Sequence, residues 1–154
     1  MKSHRNHRNH RNKIVAPKEN DSQSTETTEI IMTDNEITYQ IRGAIYDVYK
    51  NLGPGLLESV YEEALAFEIQ QRGLKVERQK QVPIIYKGNT LKTELRLDIL
   101  VEDKVVVELK SVEEMKSVFY KQLLTYLRLM NLHVGLLVNF NTDNILESIE
   151  RVVN

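Results

Sequence analysis

The spacing of apolar residues separates a patterned region, from about Glu36 onward, from a polar one before it. Ile37, Ile41, Ile45 and Val48 recur at three- and four-residue steps, which is one face of a helix. Leu52-Gly53-Pro54-Gly55 ends that helix, because Gly suits the left-handed position after a helix and Pro cannot continue one. A second helix is predicted over 56–72, with Leu57, Val60, Tyr61, Ala64, Leu65 and Ile69 as its apolar stripe and Gly73 as its stop. Strand-like sequence follows. Val76 to Tyr86 is a first run, in which Pro83 marks an edge or a bulge. Lys87-Gly88-Asn89 reads as a turn, and 91–101 and 105–110 as two further strands. Ser117 suits the N-cap of a third helix over 118–130, and His133 to Phe140 is a short apolar strand. After Asn144 a short helix and a last strand fit equally well. Three adjacent strands imply an antiparallel meander, and the later helix-to-strand step adds a parallel neighbour. The expected class is α/β, with a central mixed β-sheet flanked by helices.

The stretch from Glu94 to Lys110 says more, because side chains alternate faces along a strand. Leu95, Leu97, Ile99 and Val101 fall on one face, and Glu94, Arg96 and Asp98 on the other. In the next strand Val105, Val107 and Leu109 oppose Glu108 and Lys110. The two apolar faces must lie on the same side of the hairpin. A two-residue loop would place Asp98 beside Val107 and split the apolar face. A three-residue loop, Glu102-Asp103-Lys104, pairs Val101 with Val105 and puts Asp98 directly opposite Glu108, ~5 Å apart at Cβ. Like charges so placed repel and need compensation. Lys110 and Arg96 stand nearby, and a divalent cation would do more than either. Oxygen ligands of this kind suit Mg²⁺ or Mn²⁺ rather than zinc. The plain alternative is a surface hairpin with ordinary cross-strand ion pairs.

Composition narrows the chemistry. The 154 residues suit one domain. The absence of cysteine removes disulfides, thiolate metal sites and cysteine nucleophiles. A net charge of −1 means that any phosphate-binding surface must come from local clustering. No run is long enough to span a membrane and no secretory leader is evident, so a soluble cytoplasmic protein is expected. Residues 1–35 carry three tandem His-Arg-Asn copies (His4 to Asn12) and a Ser/Thr/Glu-rich stretch. So few apolar residues predict a disordered tail, with 36–154 as the folded domain.

Asp98 followed by Glu108-Leu109-Lys110 in an apolar strand resembles the PD-(D/E)XK nuclease signature. Gly55-Leu56-Leu57-Glu58-Ser59-Val60-Tyr61 matches the Gly-x-x-Glu-x-x-Tyr motif of the GxxExxY family, which is placed in that superfamily. With Val107-Glu108-Leu109-Lys110 and Gln122-Leu123-Leu124-Thr125-Tyr126-Leu127, several motifs appear in the right order from about Ile37 to the C-terminus. Two departures stand out. Leu97 replaces the Pro of the superfamily's name, and no His stands near Tyr49 or Phe119, where the family often has one. His133 reads as structural or surface.

The resemblance implies a restriction-endonuclease-like core and a magnesium- or manganese-dependent nuclease acting on nucleic acid, with DNA ahead of RNA. Asp98, Glu108 and the Leu109 carbonyl would hold the metal, Lys110 would orient water or oppose developing charge, and Glu58 would bind or support a metal. Tyr61 is a supporting residue whose alternative is a core aromatic with a satisfied hydroxyl. Gln122 and Tyr126 share a helix face, and their spacing resembles a motif of RecB-type nucleases bordering the active site. Lys116, Lys121 and Arg128 are candidates for phosphate contact, with a solvated face as the alternative. The competing functional reading is a catalytically weak or silent module of the same fold that binds nucleic acid or a protein partner. A homo-oligomer is left open.

Overall fold

The computed structural model describes residues 30–154, so the His-Arg-Asn copies and the Ser/Thr/Glu-rich stretch lie outside the described residues. Thr33 caps α1 (Asp34–Leu52) through a reciprocal pair of bonds with Glu36: Glu36 N donates to Thr33 Oγ1 at 3.2 Å, and Thr33 N donates to Glu36 Oε2 at 2.8 Å. The helix buries Ile37, Ile41, Ile45 and Val48, the stripe that the spacing predicts. α2 (Glu58–Gln71) starts two residues later than predicted and buries part of the predicted stripe. Tyr61, Leu65, Ala66 and Ile69 point inward, but Leu57 and Val60 are exposed. The reason is that α2 is apolar on two sides, and its inner side is fixed by the Tyr61 ring stacked on Phe140.

β1 (Val76–Val82) stops before Pro83 rather than running to Tyr86, as expected where a residue cannot donate to the ladder. β2 (Ile85–Tyr86) and β3 (Asn89–Thr90) form a separate hairpin across Lys87-Gly88, both with positive φ. β4 (Leu95–Val101) and β5 (Val105–Lys110) follow. α3 (Ser117–Met130) takes Lys116 as its cap residue, with no side-chain cap bond, so Ser117 is the first helical residue rather than the cap. β6 (Val134–Asn139) runs parallel to β5, and a 3₁₀ turn (Leu146–Ser148) leads into β7 (Ile149–Val153), antiparallel to β6. The C-terminal segment is thus a turn of helix and then a strand. The sheet order is β1-β4-β5-β6-β7, with β1, β4 and β5 as the meander.

Both sheet faces are buried. Ile99, Val101, Val105, Val107 and Leu109 pack with α1 and α2. Leu97, Leu100, Val106 and Leu137 pack with Leu123, Tyr126 and Leu127 of α3. α3 sits so close to β6 that a Cβ on Gly135 would stand 2.8 Å from Leu123.

This division corrects the strict alternation predicted for β4. Ile99 and Val101 lie with α1 and α2, but Leu95 and Leu97 join Leu100 on the α3 side. The reversal falls at Asp98. Opposite it on β1, Gln79 has φ 51, and the β1–β4 ladder passes from Arg78↔Ile99 to Lys80↔Leu97 without pairing these two. The β4–β5 register is the one that hydrophobic matching selects: a three-residue loop, with Val101↔Val105, Leu100↔Val106 and Ile99↔Val107.

Candidate active site

That register brings Asp98 opposite Glu108, and regular backbone pairing stops one step short of them. Beyond that point the carboxylates take the hydrogen bonds. Glu108 Oε1 accepts from the Asp98 amide at 3.2 Å, and Asp98 Oδ2 accepts from the Leu109 amide at 2.9 Å. The strands therefore part without leaving these amides unsatisfied. Glu108 is buried, at 5% exposed, whereas Asp98 is half-buried and opens toward solvent. The Glu108 carboxyl is pushed up to about 9, first by burial and then by the Asp98 carboxylate beside it. Glu108 thus holds its proton in the absence of other positive charge. Lys110, two residues on, pulls in the opposite direction.

Glu58 comes from the first turn of α2 and is held by a short loop. Gly55 takes φ 95, a value that side-chain-bearing residues rarely adopt. Tyr61 fastens this loop: its hydroxyl donates to the Gly53 carbonyl at 2.5 Å and accepts from the Leu56 amide at 3.1 Å. The ring is fully buried and stacks on Phe140, with centroids 4.4 Å apart. Tyr61 is therefore a core aromatic with a satisfied hydroxyl that sets where α2 begins. Ser111, which follows Lys110, donates its hydroxyl to the Leu56 carbonyl at 2.7 Å and ties the same loop to the end of β5. Burial and then the Asp98 carboxylate raise the Glu58 carboxyl, and Lys110 lowers it. Glu58 thus feels Asp98 and Lys110, the same two groups that act on Glu108.

The third wall is α3. The Lys110 ammonium lies 4.5 Å from the centre of the Phe119 ring, a contact that holds the cation at the mouth of the site. Gln122 Nε2 donates to the Tyr126 hydroxyl at 2.8 Å, as their four-residue spacing allows. The Tyr126 hydroxyl is raised by burial and by the Glu108 and Asp98 carboxylates, so it faces the acids. Leu95, Phe119, Lys121, Gln122, Thr125 and Tyr126 line a cleft of about 540 Å³ beside them.

Other candidates fall elsewhere. Arg96 is exposed and pairs with Glu94 at 3.9 Å, so it does not neutralise the carboxylate pair. The reason is geometric: Arg96 precedes the point where β4 reverses its faces. Lys116, at the cap of α3, and Arg128, in its last turn, are exposed outside the cleft lining, whereas Lys121 lines it. The Leu109 side chain packs with α1 and α2. Two positions escaped the reading of the sequence. Ser111 is one. Asn139 is the other: it is buried and bonds through both side-chain atoms to the Val112 backbone, at 3.1 and 2.9 Å, fixing the chain that leaves β5. An amide closing an apolar strand is the signal that could have marked it.

The donor set fits a hard divalent cation in its chemistry. It consists of two adjoining carboxylates with no sulfur or imidazole, one of them a buried acid that holds a proton for want of positive charge. Among the described residues no group of three or more His, Asp or Glu side chains could hold a metal ion. Glu58 accordingly does not complete a three-carboxylate cluster with the pair. No described helix is long and apolar enough to cross a membrane. Compared with known proteins, the chain matches the family model of the PD-(D/E)XK nuclease superfamily over residues 35–152. No curated protein and no solved structure matches it.

Proposed function

The chain belongs to the PD-(D/E)XK nuclease superfamily, and from that premise we propose that it is a divalent-metal-dependent nuclease hydrolysing phosphodiester bonds of DNA. The observation that carries the proposal is the Asp98–Glu108 pair. It is a half-buried carboxylate against a buried one, at the point where two strands part, with Lys110 acting on Glu108 and Glu58 acted on by Asp98 and Lys110. Asp98, Glu108 and the Leu109 carbonyl would hold Mg²⁺ or Mn²⁺, and Glu58 would support it from α2. Bound there, the ion supplies charge stabilisation at the phosphate and lowers the pKa of water. Lys110 orients the attacking water and opposes the negative charge that develops on the phosphate. Tyr126, held by Gln122, borders the cleft from α3. The Gln122-to-Tyr126 spacing, resembling that of RecB-type nucleases, supports DNA as the substrate. Lys121, which lines the cleft, would meet a phosphate there, and Lys116, at the cap of α3, and Arg128, in its last turn, are further candidates for phosphate contact. The Gly55-x-x-Glu58-x-x-Tyr61 motif supports membership of the GxxExxY family, and a cysteine-free chain suits the cytoplasm.

The test is cleavage of labelled DNA and RNA with Mg²⁺ or Mn²⁺, comparing wild type with Glu108→Ala and Lys110→Ala. Cleavage of DNA by wild type alone is the expected result. No cleavage of either polymer, with no Mn²⁺ binding by calorimetry, would overturn the proposal and leave a silent binding module.

A further inference from the structure

The irregularity in β1 lies opposite Asp98, and its surroundings connect Asp98 to Glu58. Neighbouring residues on a strand point to opposite faces. Arg78 and Gln79 nevertheless both reach the same carboxylate. Arg78 Nη2 donates to Glu62 Oε2 at 3.0 Å, and Gln79 Nε2 donates to Glu62 Oε1. This is possible because Gln79 takes φ 51, a left-handed conformation unfavourable for glutamine. Glu62 is only 7% exposed, and a buried carboxylate needs such partners. It lies on α2 four residues after Glu58, one turn along the same face.

We propose that Glu62, Arg78 and Gln79 form a clasp that positions Asp98 and Glu58 for phosphodiester cleavage, an inference that rests on the nuclease reading above. The kink at Gln79 withholds the β1 backbone from Asp98, and the reversal of β4 at that point leaves Asp98 free to take the Leu109 amide. The same kink turns the Gln79 amide onto α2, so the helix that carries Glu58 is hung from the strand that shapes Asp98. If Gln79 were extended, it would pair with Asp98 in the ladder, and its side chain would leave Glu62. These three are positioning residues, since none is placed to touch the reacting phosphate.

The experiment uses the full chain with Gln79→Ala, Gln79→Asn and Glu62→Gln, read by two measurements. The first is amide hydrogen exchange at Asp98 and Leu109, whose N–H groups bond to Glu108 and Asp98. The second is kcat and KM for DNA cleavage with Mn²⁺. Ala resists φ 51 and lacks the amide. Gln79→Ala should therefore expose both N–H groups to faster exchange and lower kcat by about a hundredfold, with KM within about twofold, as for sub-ångström misplacement of reacting groups. Asn tolerates the left-handed region and so keeps the kink, although its amide is one methylene shorter, so Gln79→Asn should retain clearly more protection and more of kcat than Gln79→Ala. Glu62→Gln should move both readouts in the direction of Gln79→Ala, and it carries the test if that variant does not fold. A clasp that merely held α2 to the sheet would change the melting temperature and leave exchange at these two amides and kcat unmoved. That result, or equal damage in Gln79→Ala and Gln79→Asn, overturns the proposal. If wild type neither cleaves nor binds Mn²⁺, the nuclease reading fails, and exchange alone decides whether the clasp shapes the carboxylate pair.

Discussion

The two ends of the β4–β5 hairpin share one register and do opposite work. At the turn end, Val101↔Val105, Leu100↔Val106 and Ile99↔Val107 pair through backbone, and all six side chains are buried. At the other end, Asp98 and Glu108 stand opposite each other, but the backbone no longer pairs and carboxylates accept the amides instead. Every amide named is satisfied in both halves, so the difference lies in what satisfies it. Carbonyls at the turn end leave the side chains free to pack. Carboxylates at the open end place charge where packing would otherwise be. The apolar half fixes the register, and the register delivers the acids to one another.

The largest effect that could break this comparison is in activity. Glu108→Ala should lower kcat by at least about 10²–10³, the scale lost when a preorganised charge-stabilising group is removed. The urea midpoint of the metal-free protein should fall less than for a core truncation, because the variant strips the Asp98 amide of its acceptor but also removes a buried acid pressed against another. Next comes the turn end. Ile99→Ala should cost about 2–5 kcal/mol in urea unfolding, since Ile99 is fully buried. Its kcat per folded molecule should stay near wild type. If Glu108→Ala proved the less stable variant, the division of labour would be wrong.

Much of this was legible in the sequence, and each miss has a physical cause. The α1 stripe and the hairpin register follow from apolar periodicity alone, because one misplaced residue would bury a charge. The Asp98–Glu108 juxtaposition follows from the register. What periodicity does not carry is a break in itself. Leu95 and Leu97 alternate perfectly with Ile99 and Val101 in sequence, yet they pack on the other side of the sheet, because the backbone turns at Gln79 and Asp98. Gln is not a residue that announces positive φ. α2 misled for another reason: apolar residues on two sides leave the inward one to be chosen by Phe140 and by Glu62's partners across the sheet. Ser111 and Asn139 are tertiary ties, invisible without knowing which chain segment passes beside them.

The pH dependence sharpens the contrast by isolating one acid. In the metal-free native state the Glu108 carboxyl is raised to about 9, against an ordinary value of 4.5. Between these values the folded protein binds a proton that the unfolded chain has released. Stability from this group is thus fully present below about pH 4.5 and is lost as pH rises toward 9, by at most about 1.4 kcal/mol per pH unit. Glu58, also raised, tilts the curve in the same direction. Urea midpoints across this window should fall in wild type and flatten in Glu108→Gln. Saturating Mn²⁺ should flatten the wild-type curve as well, because the ion takes the place of the proton.

The smallest effect comes from a residue that the sequence placed beside the acids and the structure places elsewhere. Arg96 lies two residues before Asp98 and would share its face if β4 alternated to its end. It is instead exposed, 3.9 Å from Glu94, and Glu94 also accepts from Gln81 at 2.7 Å. An exposed pair this long contributes little, so Arg96→Ala should change unfolding free energy by no more than about 0.5 kcal/mol. It should also leave the Mn²⁺ affinity and the pH dependence of stability unchanged, because the guanidinium does not offset the carboxylate pair. A gain in Mn²⁺ affinity on Arg96→Ala, from removing a cation that competes for the carboxylates, would mean that the strand does not reverse at Asp98 in solution. The clasp at Gln79 and the separation of the hairpin's two ends would then fall together, since both depend on that reversal.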